Sequence, residues 1–166
     1  MIIEGTAVVI PGDDIDTDVM YPGQYLNIDD PEKMKPYLFE GYDPTLRDQL
    51  GDDAIIVTGA NFGIGSSREH VVQAMKAWEI RCVVGKSFAR IFRRNCVNLG
   101  LPILECPGAA EAARPGSEIR VDTDTGLVEV DRQEFQARPV APFVLELQLA
   151  GGLVPWAEKR LEGAAR

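Results

Sequence analysis

The sequence predicts an α/β fold in which a mixed sheet is flanked by helices, and three observations carry that expectation. Short apolar runs alternate with helical periodicity between residues 54 and 105, the pattern of strands connected through packed helices. Three strand-like pieces then follow between residues 118 and 137 with turn residues between them, which suggests a small antiparallel meander. No repeat, low-complexity tract or linker interrupts the 166 residues, so a single domain over 1–166 with a real core is expected.

Taken in order, Gly5–Ile10 reads as a first strand ended by Pro11-Gly12, and the acidic, turn-rich segment Asp13–Asp18 follows. Between Tyr21 and Pro44 four prolines and scattered aromatics predict loop, with one short helix around Glu32–Phe39. A connection of that length inside a compact domain is usually functional. Ala54–Thr58 is a short apolar strand that runs into the glycine-rich stretch Gly59–Ser67. A helix then starts, with Val71, Val72, Met75 and Trp78 at helical spacing. Arg81–Val84 is the next strand, and a second helix covers roughly Ser87–Leu99. Phe88, Ile91, Phe92, Cys96 and Leu99 share one face of it, opposite Arg90, Arg93 and Arg94. That basic face suits either solvent or a partner. Leu101–Glu105 reads as a strand closed by Pro107-Gly108. The meander comprises Glu118–Asp122, Leu127–Val130 and Glu134–Ala137, with an Asp124-Thr125-Gly126 turn. Pro142–Leu149 is a helix stopped by Gly151-Gly152, and Pro155 opens a last short helix.

Composition excludes several classes. A net charge of −9 is wrong for a nucleic-acid binder, which needs a basic surface to displace counterions. No apolar run approaches a membrane span, and the start Met1–Gly5 lacks the basic and long apolar regions of a secretory signal. A cytoplasmic protein, or an organellar one after processing, is the expectation. Cys82, Cys96 and Cys106 are odd in number and widely spaced, with no CxxC pair. They read as buried structural thiols in a reducing compartment. His70 is the sole histidine, which removes His-rich metal sites. Closely spaced aspartates such as Asp13–Asp18 could hold a metal but more often cap or face solvent.

The segment Gly59–His70 carries the chemistry. A strand enters a glycine-rich turn and leaves as a helix, so free backbone N–H groups and the positive end of the helix dipole should point at a ligand. Gly63 and Gly65 allow close backbone approach, and Arg68 in the first turn adds a fork that matches a carboxylate. No lysine stands where a P-loop needs one, and Arg68 occupies the position of the third dinucleotide-fingerprint glycine. The pattern is therefore a carboxylate site with the hydroxyls of Ser66 and Ser67 at its mouth. Two readings of Ser66 stay open at this level. Ser66 with Glu69 three residues on is also a capping box, which helices use without any chemistry. A Ser66–His70 hydrolase pair is disfavoured, because a nucleophile elbow reads Gly-x-Ser-x-Gly.

The stretch Gly63-Ile-Gly-Ser-Ser-Arg-Glu-His70 resembles the signature of the aconitase, isopropylmalate isomerase and homoaconitase family, in its mobile C-terminal domain or separate small subunit. Gly12–Asp18 and Pro22–Leu26 resemble the family's Asp-x-x-Thr-Asp and Pro-Gly-x-Tyr-Leu elements. Lys86–Asn95 and Asn98–Pro102 resemble its second helix and following strand, and all the blocks stand in family order. The resemblance implies a swivelling β/β/α domain that forms half of a hydro-lyase. It implies that Ser66 is the catalytic base, that Ser67, Arg68 and Gly65 bind a substrate carboxylate, and that Thr17 and Asp18 lie near the cleft. No cofactor is expected in this chain. A [4Fe-4S] cluster is expected in a large partner subunit, in a heterodimer or heterotetramer.

The same resemblance makes Tyr25–Ile28 the specificity loop, with Leu26, Asn27 and Ile28 as substrate contacts. Relatives that read a further carboxylate carry an arginine near this loop, and no arginine precedes Arg47 here. A malate bearing an alkyl group is therefore the implied dicarboxylate, as in the 2- and 3-isopropylmalates of leucine biosynthesis. Citramalate or dimethylmalate remain alternatives, because one methylene in an apolar pocket discriminates by only about 1–3 kcal/mol, and homoaconitate is a further alternative within the family. The family often has a basic residue where Gln24 stands. A non-catalytic carboxylate-binding module, with Ser66 as a helix cap only, is the alternative from another class.

Overall fold

The structure, a computed structural model, describes residues 1–164. Seven strands form one sheet in the order β4-β3-β2-β1-β5-β6-β7. They are β1 (Ile2–Ile10), β2 (Ala54–Thr58), β3 (Cys82–Gly85), β4 (Ile103–Glu105), β5 (Glu118–Asp122), β6 (Leu127–Val130) and β7 (Gln133–Gln136). Pairing is parallel from β1 to β4 and antiparallel from β1 through β5 and β6 to β7. The mixed sheet flanked by helices is therefore present.

Strand β1 joins the two halves. Its first part, Ile2–Thr6, pairs with β5, and Thr6–Ile10 pairs with β2. This double use explains why it starts at Ile2, three residues before the strand expected from the apolar run. Alternate side chains point to opposite faces, and each face buries its own core. On one face Val8, Ile10, Ile56 and Val83 meet Val72 and Met75 of helix α3 (His70–Ala77) and Phe92 and Cys96 of helix α4 (Arg90–Leu99). On the other, Ala7, Ile55, Val57 and Val84 meet Ile119, Val121 and Val128 of the meander. Strand β2 is buried along its whole length, as expected of a strand covered on both faces.

The long N-terminal connection is ordered by the first core, with Met34, Leu38, Phe39 and Leu46 all buried. It holds two short helices, α1 (Thr17–Met20) and α2 (Pro31–Met34). The expected helix over Glu32–Phe39 is shorter and changes to a 3-10 turn at Lys35–Tyr37, because Pro36 has no N–H to continue the helical ladder. Helix α4 starts at Arg90 rather than Ser87, since Phe88 is extended and bridges Phe62, and Ser87 Oγ accepts from the Asn61 amide. It ends at Gly100, in the left-handed region at φ 74°.

Three further helices are α5 (Pro107–Ala112), α6 (Pro142–Ala150) and α7 (Leu153–Ala164). Sequence reading took Pro107-Gly108 as a turn, yet Pro107 opens α5 in the first-turn position that tolerates a missing N–H. Helix α7 likewise begins two residues before Pro155. None of the described helices is long and apolar enough to cross a membrane.

Candidate active site

Three irregular strips meet where β1 and β2 end: residues 13–18, residues 21–28 and the glycine-rich segment 59–69. The first and third are tied by side chains from the acidic run. Asp13 accepts from the Ala60 amide at 2.7 Å, and Asp14 accepts from Asn61 Nδ2 at 2.7 Å. Asp16 caps α1 by accepting from the Asp18 amide at 2.7 Å. These aspartates thus act as caps and latches. The backbone completes the join, since Gly63 N–H donates to Ile15 O at 2.9 Å and Thr17 N–H to Ile64 O at 2.8 Å.

Gly63 and Gly65 are required by this close approach. Both lie in the left-handed region, at φ 86° and 100°. A Cβ on Gly63 would come within 2.3 Å of the Phe92 ring, and one on Gly65 within 2.6 Å of Asp16 Oδ1. Phe92 and Asp16 are in effect the floor and side of the turn.

Ser66 is held from both sides. Its amide donates to Thr17 Oγ1 at 3.0 Å, and Thr17 is itself buried. Its Oγ accepts from the Arg68 amide at 3.2 Å. The expected capping box is absent, because α3 starts only at His70 with Glu69 as N-cap and no side-chain cap bond. Arg68 accordingly precedes the helix instead of lying in its first turn. The donor aimed at Ser66 Oγ is a turn amide, not a helical one. A hydrogen bond of this kind favours the charged form of its acceptor.

The remaining expected residues fall on the same open face. Ser67 and Arg68 are exposed, and Ser67 O accepts from Nδ2 of buried Asn95 at 3.1 Å. Among the described residues no carboxylate ion-pairs with Arg68. A Cβ on Gly23 would lie 3.8 Å from the Arg68 guanidinium, which places the 23–28 turn beside it. Asn27 is exposed, whereas Leu26 and Ile28 are half-buried and pack on the first core. Asp18 is exposed at the edge. Cavities of about 490, 480 and 250 Å³ lie around Arg93, Arg120 and Gly59, and none of the three includes residues 23–28 or 64–70. Asn27, Ser67 and Arg68 give the candidate site an exposed face.

His70 does not serve Ser66. Its Nε2 meets Leu26 O at 3.2 Å, and its ring lies against Tyr21 with centroids 5.6 Å apart. Asn95 and this His70 contact are positioning features that sequence reading did not single out. Asn95 had a signal, being a polar residue three after Phe92 and four before Leu99 on the buried stripe of α4.

The three cysteines do not suit an iron–sulfur cluster. Cys82 lies on β3, Cys96 on α4 and Cys106 at the start of α5, and all are buried and free. Burial pushes the Cys82 thiol up to about 12 and raises Cys96 and Cys106 as well, so all three rest as buried thiols. Among the described residues, no group of three or more His, Cys, Asp and Glu is placed to hold a metal.

The chain is similar to known proteins in sequence and in fold. Residues 4–108 match the aconitase C-terminal domain family. The chain is 47% identical over 155 residues to 3-isopropylmalate dehydratase small subunit 1 of Methanopyrus kandleri, covering 92% of this chain and 91% of that one. It is 44% identical over 164 residues to the 3-isopropylmalate dehydratase small subunit of Moorella thermoacetica, covering 98% of each. The crystal structure of 3-isopropylmalate dehydratase from Methanocaldococcus jannaschii superposes with a TM-score of 0.92 at 35% identity, over 99% of this chain and 98% of that one. By family match, identity and fold together, the chain belongs to the aconitase C-terminal domain family.

Proposed function

We propose that this chain is the small subunit of a hydro-lyase that interconverts 2-isopropylmalate and 3-isopropylmalate by dehydration and rehydration, the isomerase step of leucine biosynthesis. End-to-end similarity to small subunits of 3-isopropylmalate dehydratase carries the reading. In it the chain works with a large subunit, and the exposed face of Ser66, Ser67, Arg68 and Asn27 is one wall of a cleft that the partner closes. Cytoplasmic location follows as part of the same reading.

Ser66 removes the proton from the carbon next to a substrate carboxylate, and returns one there in the reverse direction. The base form is an alkoxide, and two features favour it. The Arg68 amide already donates to Ser66 Oγ, and the Arg68 guanidinium adds positive charge beside the site. Such preorganised donors are each worth on the order of a hundredfold to a thousandfold in rate. Ser67 and Arg68 hold the carboxylate, with Gly65 leaving room for its approach. Thr17 fixes the Ser66 backbone. The large subunit brings a [4Fe-4S] cluster, whose iron supplies Lewis acidity toward the hydroxyl that leaves.

Substrate choice follows from what faces the 23–28 turn. Arg47, the first arginine in the chain, is spent on Leu38 O at 2.8 Å and Glu40 at 2.7 Å. No arginine from this stretch is left to read a third carboxylate. Asn27 and the exposed part of Ile28 therefore suit an alkyl substituent.

The test is reconstitution with a cluster-bearing large subunit, followed by assay of 2-isopropylmalate, citraconate, dimethylmalate and homoaconitate. Turnover that needs both chains, prefers isopropylmalate and disappears in Ser66→Ala is the expected result. A complex that turns over none of them removes the substrate assignment.

A further inference from the structure

The imidazole of His70 presents a puzzle that packing alone does not answer. One nitrogen, Nδ1, is buried without any hydrogen-bond partner. The other, Nε2, lies 3.2 Å from the Leu26 carbonyl. A carbonyl only accepts, so Nε2 is the donor in this contact. An apolar side chain would fill the same space without leaving an orphaned polar atom. What an apolar residue would not supply is the Nε2–H donor.

That donor is half of a clamp. Tyr21, whose ring lies against His70, donates its hydroxyl to Tyr25 O at 3.1 Å. Two neighbouring side chains thus hold two successive carbonyls, Tyr25 O and Leu26 O, across 4 and 44 residues of sequence. The Tyr25 ring is fixed in turn by stacking on Tyr37, with centroids 3.9 Å apart. The turn so gripped contains Gly23, beside the Arg68 guanidinium, and leads directly into exposed Asn27. His70 is the first residue of α3 and follows Ser66–Arg68 by two to four positions. The segment that carries the base therefore also carries the pin of the turn beside it.

We infer that His70 is a specificity-determining positioning residue: its Nε2–H, through Leu26 O, sets the 25–28 turn at a fixed distance from the Ser66–Arg68 segment and so sizes the space for the substrate substituent. This rests on the functional reading given above. His70 touches no reacting atom and transfers no proton. Its effect is on which alkyl group fits, because a turn that can shift by a fraction of an ångström no longer distinguishes a small substituent from a larger one.

The test has two arms. In the isolated chain, hydrogen exchange of residues 22–30 is compared between wild type, His70→Phe, which keeps a flat ring but no donor, and His70→Gln, whose amide N–H can reach the same carbonyl. Leucine replaces phenylalanine as the donor-less variant if the larger ring prevents folding, which protection of β2 and β3 reports. Faster exchange confined to 22–30 in the donor-less variant, restored by glutamine, is expected. In the reconstituted enzyme, kcat/KM for 2-isopropylmalate relative to citramalate should fall by about tenfold in the donor-less variant, carried by KM, with glutamine recovering most of the preference. An unchanged ratio overturns the inference even where exchange rises, because His70 would then be packing only. Wild-type enzyme that turns over no isopropylmalate overturns the functional reading itself, and the specificity role falls with it.

Discussion

The two sides of strand β1 solve the problem of holding a turn in different ways. On the antiparallel side, the 122–127 turn makes its own short-range bonds, from Asp124 N–H to Asp122 and from Leu127 N–H to Thr125, each two residues apart, beside contacts of Thr123 and Asp124 with Met1. On the parallel side, the turns hold each other across the chain. Asp13 with Ala60, Asp14 with Asn61 and Thr17 with Ser66 are separated by 47, 47 and 49 residues. Short-range turn bonds survive damage elsewhere, whereas cross-braced turns hold their geometry only when the whole half is folded. Every candidate site residue comes from the cross-braced side. The meander closes the second core and contributes none of them.

Paired substitutions on the two sides should therefore part company, and the widest gap is expected for Ser66→Ala against Ile119→Ala. Removing the base should lower kcat of the reconstituted enzyme by about 10²–10⁴-fold, with unfolding in urea nearly unchanged, since Ser66 is only half-buried. Ile119 is buried in the second core. Its truncation should cost about 2–5 kcal/mol of stability while kcat per folded molecule stays within a factor of two or so of wild type. Equal losses of kcat in both would erase the distinction between the two halves.

The same backbone lesion sharpens the comparison. Gly63→Ala and Gly126→Ala both force a side chain into the left-handed region, at φ 86° and 76°. Both also create a close contact, with the Phe92 ring at 2.3 Å and with Ala137 O at 2.4 Å. Each should destabilise by roughly 2–4 kcal/mol, from the backbone term and overpacking together. Only Gly63→Ala should also abolish most turnover at temperatures where both variants are folded, because its turn carries Ser66.

How much of this was legible in the sequence divides along the same line. Strands β2, β5 and β6 lie where apolar runs and the Asp124-Thr125-Gly126 turn put them, since their signals are local. The resemblance of Gly63–His70 identified the family. The start of α3 was not legible: Ser66 and Glu69 have capping-box spacing, but Thr17 and Asn95 take the backbone groups of Ser66 and Ser67 and hold that stretch out of the helix. Helix α5 did have a local signal, the run Ala109-Ala110-Glu111-Ala112 behind a proline suited to a first turn, and Pro107-Gly108 masked it. The His70 clamp had none, because Leu26 is 44 residues away and contributes only its carbonyl.

Smaller effects test the bracing itself. Thr17→Val keeps the shape of a buried side chain and removes the acceptor of the Ser66 amide. Leaving that donor unmade should cost about 1–3 kcal/mol in stability. Because the loosened residue is Ser66, kcat should also fall by about tenfold, on the scale of one hydrogen bond. A loss of stability with unchanged kcat would mean that the brace is structural only.

The two sides should also fail at opposite ends of the pH scale. Burial raises the thiols of Cys82, Cys96 and Cys106, all on the parallel side, above the ordinary value of 9.0. A raised acid stays protonated in the folded state while the unfolded chain loses its proton. Its stabilising contribution is thus complete below pH 9 and is lost as pH rises toward the folded value, about 12 for Cys82. Urea midpoints should fall through this alkaline window, and Cys82→Ala should flatten the decline. Wild type and variant with parallel slopes there would show that other groups govern the alkaline limb.

The smallest effect belongs to the meander. Hydrogen bonds from the Ser117 side chain and then from the Glu118 amide hold the Asp131 carboxyl below its ordinary 3.8. A lowered carboxyl contributes stability that is present above the unfolded value and disappears as pH falls through the folded one. Asp131→Asn keeps a side chain that tolerates the positive φ of 47° at this turn and removes only the charge. Its urea midpoint should lie slightly below wild type near pH 7, and the two curves should converge as pH falls through the lowered value of the folded carboxyl. The hydrogen bonds concerned are local to one hairpin, so turnover per folded molecule should not change at either pH. A fall in kcat from this substitution would mean that the meander communicates with Ser66 through β1, and the independence of the two halves would have to be given up.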